Sequence, residues 1–400
     1  MKQPETASET GRRRRSKDVL TYLLKLGELT LKGNNRQMFE QALKRNALAL
    51  LRGTGASVKT ARGRFFVYCG EDAREQVEDA LSRLFGIAGW ALAQVVEKTP
   101  EAVVAACAEA AANLPSEIQT FKIEARRTDK SFPLDSYAIR REGGSAALAV
   151  SPRLKVDVHA PQALISVEIR EKAYVYPASH AGLRGLPVGT AGRGLALLSG
   201  GIDSPVACFL MASRGLRLDA LYFHAYPYTS EEARQKVIRL ARIVGRYTMG
   251  MRLFVLSFTE IQRRIQENAP ERWLTVLSRM AMMECAEALG RARGASCLIT
   301  GESLSQVASQ TVKNIDCVQS AVTLPVLRPL IGMDKEAIIR LAERIGTYET
   351  SILPYGDCCA VFSPAHPVLR GDRTEAARLY AGLNLAEPIK TALMRTEQET

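Results

Sequence analysis

No apolar run in the 400-residue sequence is long enough to cross a bilayer, and no hydrophobic segment follows the basic opening MKQPETASETGRRRRSKD. A membrane span and a secretory signal therefore have no support, and the expectation is a soluble, cytoplasmic protein with no membrane partner. The eight cysteines (69, 107, 208, 285, 297, 317, 358 and 359) form no CxxC pair and follow no regular spacing. Neither a disulfide framework nor a structural zinc site is indicated. Acidic residues are scarce at the front of the chain: residues 1–70 hold fifteen Lys/Arg against five Asp/Glu. A Gly-Lys-Ser/Thr phosphate loop is missing throughout, which argues against the usual β/γ-phosphate chemistry of P-loop enzymes.

What is present is an uneven basic charge. The net charge is +12. Most of the excess lies in residues 1–70, residues 120–175 add ten basic groups against seven acidic ones, and the C-terminal half is near neutral. That asymmetry suggests a polyanion-binding front attached to a domain with another task. Arg12 to Arg15 are equally well read as a solvated tail or as added affinity for phosphates.

Length alone favours two or three domains. Up to residue 176 short strand-like runs mix with helical ones, as expected of small α+β domains. Residues 177–194 are rich in Gly, Pro and small residues and mark the best boundary. Beyond them apolar strands (GLALLS, LDALYFHAY, MRLFVLSF, ASCLITGES) alternate with helical segments, the pattern of a doubly wound α/β domain. Ligands of such sheets bind beyond the carboxyl ends of the strands.

The sharpest chemical motif stands there, between a strand and a helix: Ser199-Gly200-Gly201-Ile202-Asp203-Ser204-Pro205. Two glycines admit close approach of a ligand and unusual backbone angles. Ser204 is expected as the helix N-cap with Pro205 first inside, so that backbone N–H groups and the positive helix end face an anion. SGGIDS after an apolar strand resembles the PP-loop of adenylating ATP pyrophosphatases, which split ATP between the α and β phosphates. That resemblance implies Asp203 beside a magnesium ion brought with ATP, with no metal held by the protein alone.

GELTLKGNNRQMFE (27–40), FKIEARRTDKSFPLDS (121–136), LLSGGIDSPVA (197–207), TGESLSQVASQT (300–311), RPLIGMDK (328–335) and PYGDCCAVFSP (354–364) stand in the order found in the tRNA 4-thiouridine synthetase family, which the chain resembles over nearly its full length. The resemblance implies a ferredoxin-like domain with the basic tail at 1–72, a THUMP tRNA-binding domain at 73–178, a linker at 179–194 and a PP-loop catalytic domain at 195–400. It implies adenylation of uridine 8 of tRNA at C4 and replacement of that oxygen by sulfur. Nucleotide contacts would fall on Leu197, Leu198, Ser199, Gly200, Gly201, Asp203, Ser204, Tyr222, Phe223, Arg279, Gly301 and Gln310. Lys335 would be functional beside Asp203. Some members carry a further rhodanese-like domain; this sequence ends about forty residues after Cys359, leaving no room for one.

A thiolate can carry persulfide sulfur and attack an activated carbon. Judged from the following AVFS, the family's catalytic cysteine aligns with Cys359, and Cys358 is the fallback. Asp357 should raise a neighbouring thiol pKa, an effect Lys335 would offset if close. A bridge between adjacent cysteines is disfavoured, so another cysteine or an external reductant would release the product. Partners implied by the family are tRNA, a cysteine desulfurase as sulfur donor, a thiamine sulfur-carrier protein and a second copy of the chain. For RNA, Lys32, Arg36, Arg126, Arg127, Lys130, Arg140 and Arg141 are the expected phosphate contacts, with Phe132 or Tyr137 available to stack on a base. Rival readings are another PP-loop tRNA modifier, either 2-thiolating or lysine-attaching, and a noncatalytic tRNA-binding module.

Overall fold

The computed structural model describes residues 19–61, 63–356 and 364–399. Arg12 to Arg15 and the pair Cys358-Cys359 lie outside the described residues. Two compact units emerge, one from the described parts of Met1–Lys25, Leu51–Ser82 and Gly89–Ala181, the other from Leu26–Leu50, Arg83–Ala88 and Gly182–Thr400. Among the described residues no helix is long and apolar enough to cross a membrane.

The first unit is built on nine strands: β1 (Val19–Leu26), β2 (Ser57–Ala61), β3 (Arg64–Gly70), β4 (Ile87–Val96), β5 (Thr120–Arg127), β6 (Lys155–Val156), β7 (Ala163–Ile169), β8 (Ala173–Tyr176) and β9 (His180–Ala181). Their order is β2-β3-β1-β4-β8-β7-β5-β6, with β9 added to β4. β1 runs antiparallel to β3 with Val19 opposite Gly70, whereas β5 and β7 are parallel with Phe121 opposite Ala163. In RFFVYCG the run Phe65–Val67 is buried on both faces of the strand, whereas Tyr68 is only half-buried.

Two helices cover this sheet, α3 (Pro100–Ala112) and α4 (Ser136–Val150), after α1 (Arg36–Leu50) and α2 (Arg74–Ser82) earlier in the chain. Thr99 caps α3 through its hydroxyl, with Pro100 just inside, and Asp135 caps α4 in the same way. The sequence signal for α4 is weak because Gly143 and Gly144 interrupt it. Packing supplies the reason for Gly143: a Cβ there would stand 3.0 Å from the Cys107 sulfur of α3 and 3.1 Å from Ile123 of β5. Close helix approach outweighs the roughly 1 kcal/mol of helix propensity lost at a glycine.

In the second unit six strands form one sheet: β10 (Arg193–Leu197), β11 (Arg217–His224), β12 (Leu253–Ser257), β13 (Cys297–Ile299), β14 (Val326–Leu327) and β15 (Glu397–Glu399). The order is β14-β13-β10-β11-β12-β15. Neighbours are parallel except β15, which joins β12 antiparallel at the edge. Polar β15 is unreadable as a strand from sequence; Arg234 holds it through Glu397 and Glu399, both at 2.5 Å. Helices α5 (Asp203–Ser213), α6 (Glu231–Gly245), α7 (Thr259–Asn268), α8 (Leu274–Ala292), α9 (Val312–Gln319) and α10 (Lys335–Ile345) complete the doubly wound arrangement. Central strands buried on both faces read as continuous apolar runs, which is why GLALLS and LDALYFHAY were legible. The mixed architecture is the small α+β domains plus doubly wound sheet expected.

Candidate nucleotide-binding and catalytic site

The chain runs from β10 through β11 to β12 on one side, then returns to place β13 on the other side of β10. This reversal opens a crevice at the carboxyl ends of β10 and β13, the place where doubly wound sheets hold ligands. A cavity of about 220 Å³ occupies it. Leu197, Leu198, Ser199, Gly201, Asp203, Ser204, Tyr222, Phe223, Arg279, Gly301 and Gln310 line it, so every expected nucleotide contact except Gly200 is gathered there. Leu198 and Tyr222 belong at the same time to the buried core, which anchors the cavity wall.

The loop closes on itself. The Ser199 backbone N–H donates to the Ser204 hydroxyl at 2.9 Å, the two hydroxyls lie 3.1 Å apart, and the Gly201 N–H reaches the Ser199 hydroxyl at 3.3 Å. One expectation is corrected here. Ser204 is not the N-cap; α5 already begins at Asp203 with Ile202 in the cap position, and the Ser204 hydroxyl ties the loop instead. Nor does Gly201 take a positive φ, and a Cβ there would meet only the Ser199 hydroxyl, at 3.5 Å, so no unusual backbone angle requires the glycine.

Gly301 has a sharper requirement. A Cβ there would fall 2.8 Å from the Ser204 nitrogen and 2.9 Å from its Cα, because the chain leaving β13 crosses the first turn of α5. The obstacle is backbone, so it cannot rotate away. Gly301→Ala is expected to push the loop out of register and cost about 1–3 kcal/mol. A thermal melt with and without ATP checks this: the variant should melt lower and lose most of the nucleotide-induced rise, and an unchanged pair of curves would refute the steric argument.

Charge is organised around two carboxylates. Asp203 accepts from Lys335 Nζ at 2.6 Å and from Gln306 Nε2 at 2.9 Å. Lys335 opens α10, where Asp334 is the cap, so its charge faces the loop rather than serving the helix dipole. Deeper in, Glu302 is almost fully buried and accepts from Arg279 at 3.1 Å, Arg328 at 2.7 Å and the Thr300 hydroxyl at 2.9 Å. A buried carboxylate of this kind persists only when paired and hydrogen-bonded. Sequence reading missed Glu302. Its position directly after Gly301 was the available cue, but its partners arrive from α8 and from the end of β14. Buried side-chain atoms of the lining with no partner among the described residues include the Gln310 amide oxygen Oε1 and Arg279 Nε. An acceptor and a donor left open in one cavity suit a polar ligand.

Among the described residues the cysteines are all buried. Burial pushes the thiols of Cys107 and Cys208 up to about 12, far from thiolate chemistry at neutral pH. Described chain flanking the Cys358-Cys359 segment is tied to the loop, since the Ser351 hydroxyl donates to the Gly201 carbonyl at 3.3 Å.

The expected RNA contacts divide between the units. Lys32 and Arg36 belong to the second, where they pair with Glu28 at 3.4 Å and Glu40 at 2.7 Å. Arg126, Lys130, Arg140 and Arg141 are exposed on the first. Arg127 instead donates to the carbonyls of Phe132 and Leu134 at 2.8 and 3.2 Å and braces that turn. Phe132 is 3% exposed and sits in the core, whereas Tyr137 is 65% exposed, so of the two rings Tyr137 is the one available for stacking.

A doubly wound sheet, a self-closed SGGIDS loop at its switch point and a neighbouring lysine–aspartate pair define a PP-loop nucleotide-binding protein. Family models agree along the chain: a ThiI ferredoxin-like domain matches residues 21–91, a THUMP domain 97–176 and the thiamine biosynthesis protein (ThiI) model 189–385. A probable tRNA sulfurtransferase of Treponema pallidum (strain Nichols) is 49% identical over 384 residues, 95% of either chain. One from Caldanaerobacter subterraneus subsp. tengcongensis is 46% identical over 357 residues, covering 88% of this chain and 92% of that one. The crystal structure of a 4-thiouridine synthetase–RNA complex with bound ATP matches with a TM-score of 0.86 at 33% identity, over 96% of this chain and 99% of that one. The chain belongs to the ThiI family, the tRNA 4-thiouridine synthetases.

Proposed function

We propose that the protein is an ATP-dependent tRNA uracil 4-sulfurtransferase that converts the uridine at position 8 to 4-thiouridine. The observation that carries this reading is the closed loop at 199–204, with Asp203 engaged by Lys335 and Gln306 at the mouth of a cavity containing Arg279. ATP, when bound, supplies the AMP that makes the C4 oxygen a leaving group, and releases diphosphate. The loop's N–H groups and the start of α5 would hold that diphosphate. Gln310 and Arg279 carry the open acceptor and donor toward the nucleotide. Lys335 would neutralise charge developing on the departing phosphates. Magnesium fits the donor set: it favours one or two carboxylates with phosphate oxygens, and Asp203 supplies the carboxylate. Among the described residues no group of three or more His, Cys, Asp or Glu could hold an ion.

Sulfur would come to Cys359 as a persulfide from a cysteine desulfurase. Attack of the outer sulfur on C4 expels AMP and leaves a cysteine–S–S–C4 linkage. A thiol must then attack the cysteine sulfur, leaving the other sulfur on uracil. Burial of the other described cysteines favours an external thiol for that step. Tyr137 and the exposed basic groups Arg126, Lys130, Arg140 and Arg141 support tRNA as the substrate, with Lys32 and Arg36 as further contacts. Activity in the cytoplasm, as a dimer, and with a second outlet to a thiamine sulfur-carrier protein rests on family likeness alone.

The test is direct. Purified protein with ATP, magnesium and unmodified tRNA should exchange labelled diphosphate into ATP, and with a persulfide source it should yield 4-thiouridine at position 8 by nucleoside mass spectrometry. No exchange, or sulfur at another nucleotide, would sink the reading.

A further inference from the structure

A second concavity in the C-terminal unit, about 620 Å³, has five arginines in its lining and one carboxylate, Asp219. Arg193 opens β10, Arg217 opens β11 and Arg252 immediately precedes β12. The groove therefore sits at the amino ends of three adjacent parallel strands, the opposite end of the sheet from the nucleotide cavity. Arg242 and Arg246 reach it from the end of α6. Asp219 is already engaged by Arg252, whose Nε donates at 2.9 Å, so four positive charges remain in excess.

The position of Arg193 and Arg217 needs an explanation. They are direct partners in the β10–β11 ladder, both are exposed, and no side-chain hydrogen bond or ion pair involves either among the described residues. Neighbouring strands lie only about 4.8 Å apart. Like charges directly opposite are destabilising. The negative end of α6 accounts for cations at Arg242 and Arg246, but a strand start offers no such compensation. An anion between the two guanidinium groups would reverse the sign of their interaction, and planar arginine forks match phosphate oxygens two at a time.

We propose that this groove binds backbone phosphates of the RNA substrate, giving the C-terminal unit a second anchor far from the reacting cavity. The inference rests on the tRNA reading above. A folded RNA is a long polyanion, so one molecule can reach both ends of the unit. An acidic protein delivering sulfur is the less suitable occupant, because Ser351, in the described chain that precedes the Cys358-Cys359 segment, bonds to Gly201 at the other end of the sheet.

Binding of an unmodified tRNA transcript, followed by fluorescence anisotropy between about 50 and 200 mM salt, tests this. Arg193→Gln/Arg217→Gln should bind about tenfold more weakly, and its slope of log affinity against log salt should shrink by about one to two. Arg193→Lys/Arg217→Lys should recover most of the slope, and both variants should keep the ATP-induced rise in melting temperature. Should the glutamine pair lose that rise, Arg242→Gln on the exposed last turn of α6 takes its place, with a slope change of about one. Unchanged affinity and slope in a variant that still responds to ATP would overturn the groove while leaving the sulfurtransferase reading intact. Loss of sulfur transfer with tRNA binding untouched would overturn it too, in favour of a protein partner. A parent protein that fails to bind tRNA would bring down both readings.

Discussion

Asp203→Asn should lower diphosphate release by about a hundred- to a thousandfold, the range seen when one preorganised electrostatic contact is removed from a reacting centre. The change is nearly isosteric, so the Gln306 bond can persist through the remaining carbonyl oxygen. What disappears is the negative charge that pairs with Lys335 and would share a magnesium ion with the phosphates. Because Asp203 forms the first residue of α5 and its side chain is not part of the core, the fold should survive. The loss should appear mainly in kcat, with a smaller effect on the KM for ATP. Full diphosphate release by the variant, measured with magnesium and folded tRNA, would remove Asp203 from the mechanism.

Cys359→Ser should separate the two halves of the reaction. A serine oxygen cannot carry sulfane sulfur, so 4-thiouridine formation should fall at least about a hundredfold, while ATP–diphosphate exchange continues unchanged. The companion Cys358→Ser should retain adenylation and lose less thiolation. If the roles are reversed, Cys358 carries the sulfur; if both variants thiolate normally, the persulfide route is wrong. The buried state of the described cysteines sharpens the experiment, since none of them offers an accessible thiol to substitute for the lost one.

Much of this site could be read from residue order. Strand, glycine-rich turn and helix are local features set by hydrogen bonding and apolar periodicity within a few residues, and SGGIDS carries all three. Gly301 and Gln310 entered the reading only through family resemblance, and the geometry supplies their physical reasons: backbone crossing for one, an open buried acceptor for the other. Phe132 was misjudged because an aromatic beside arginines looks the same whether it faces RNA or the core. Helix α4 escaped notice because Gly143 weakens the local signal, and the compensating contact with Cys107 lies thirty-six residues away.

By itself the sequence determined the class of fold, the strand, glycine-rich turn and helix around the 199–204 loop, and the concentration of positive charge toward the N-terminal part. Tertiary structure decided which groups meet: Lys335 with Asp203 across 132 residues, Glu302 between Arg279 and Arg328, and Arg193 against Arg217. The division has one cause. Turns and helix ends depend on neighbours a few residues apart, whereas strand order and buried ion pairs depend on how distant segments exclude water together. Placing β13 beside β10 is an event of that second kind, and it is what brings Gly301 and Glu302 to the 199–204 loop.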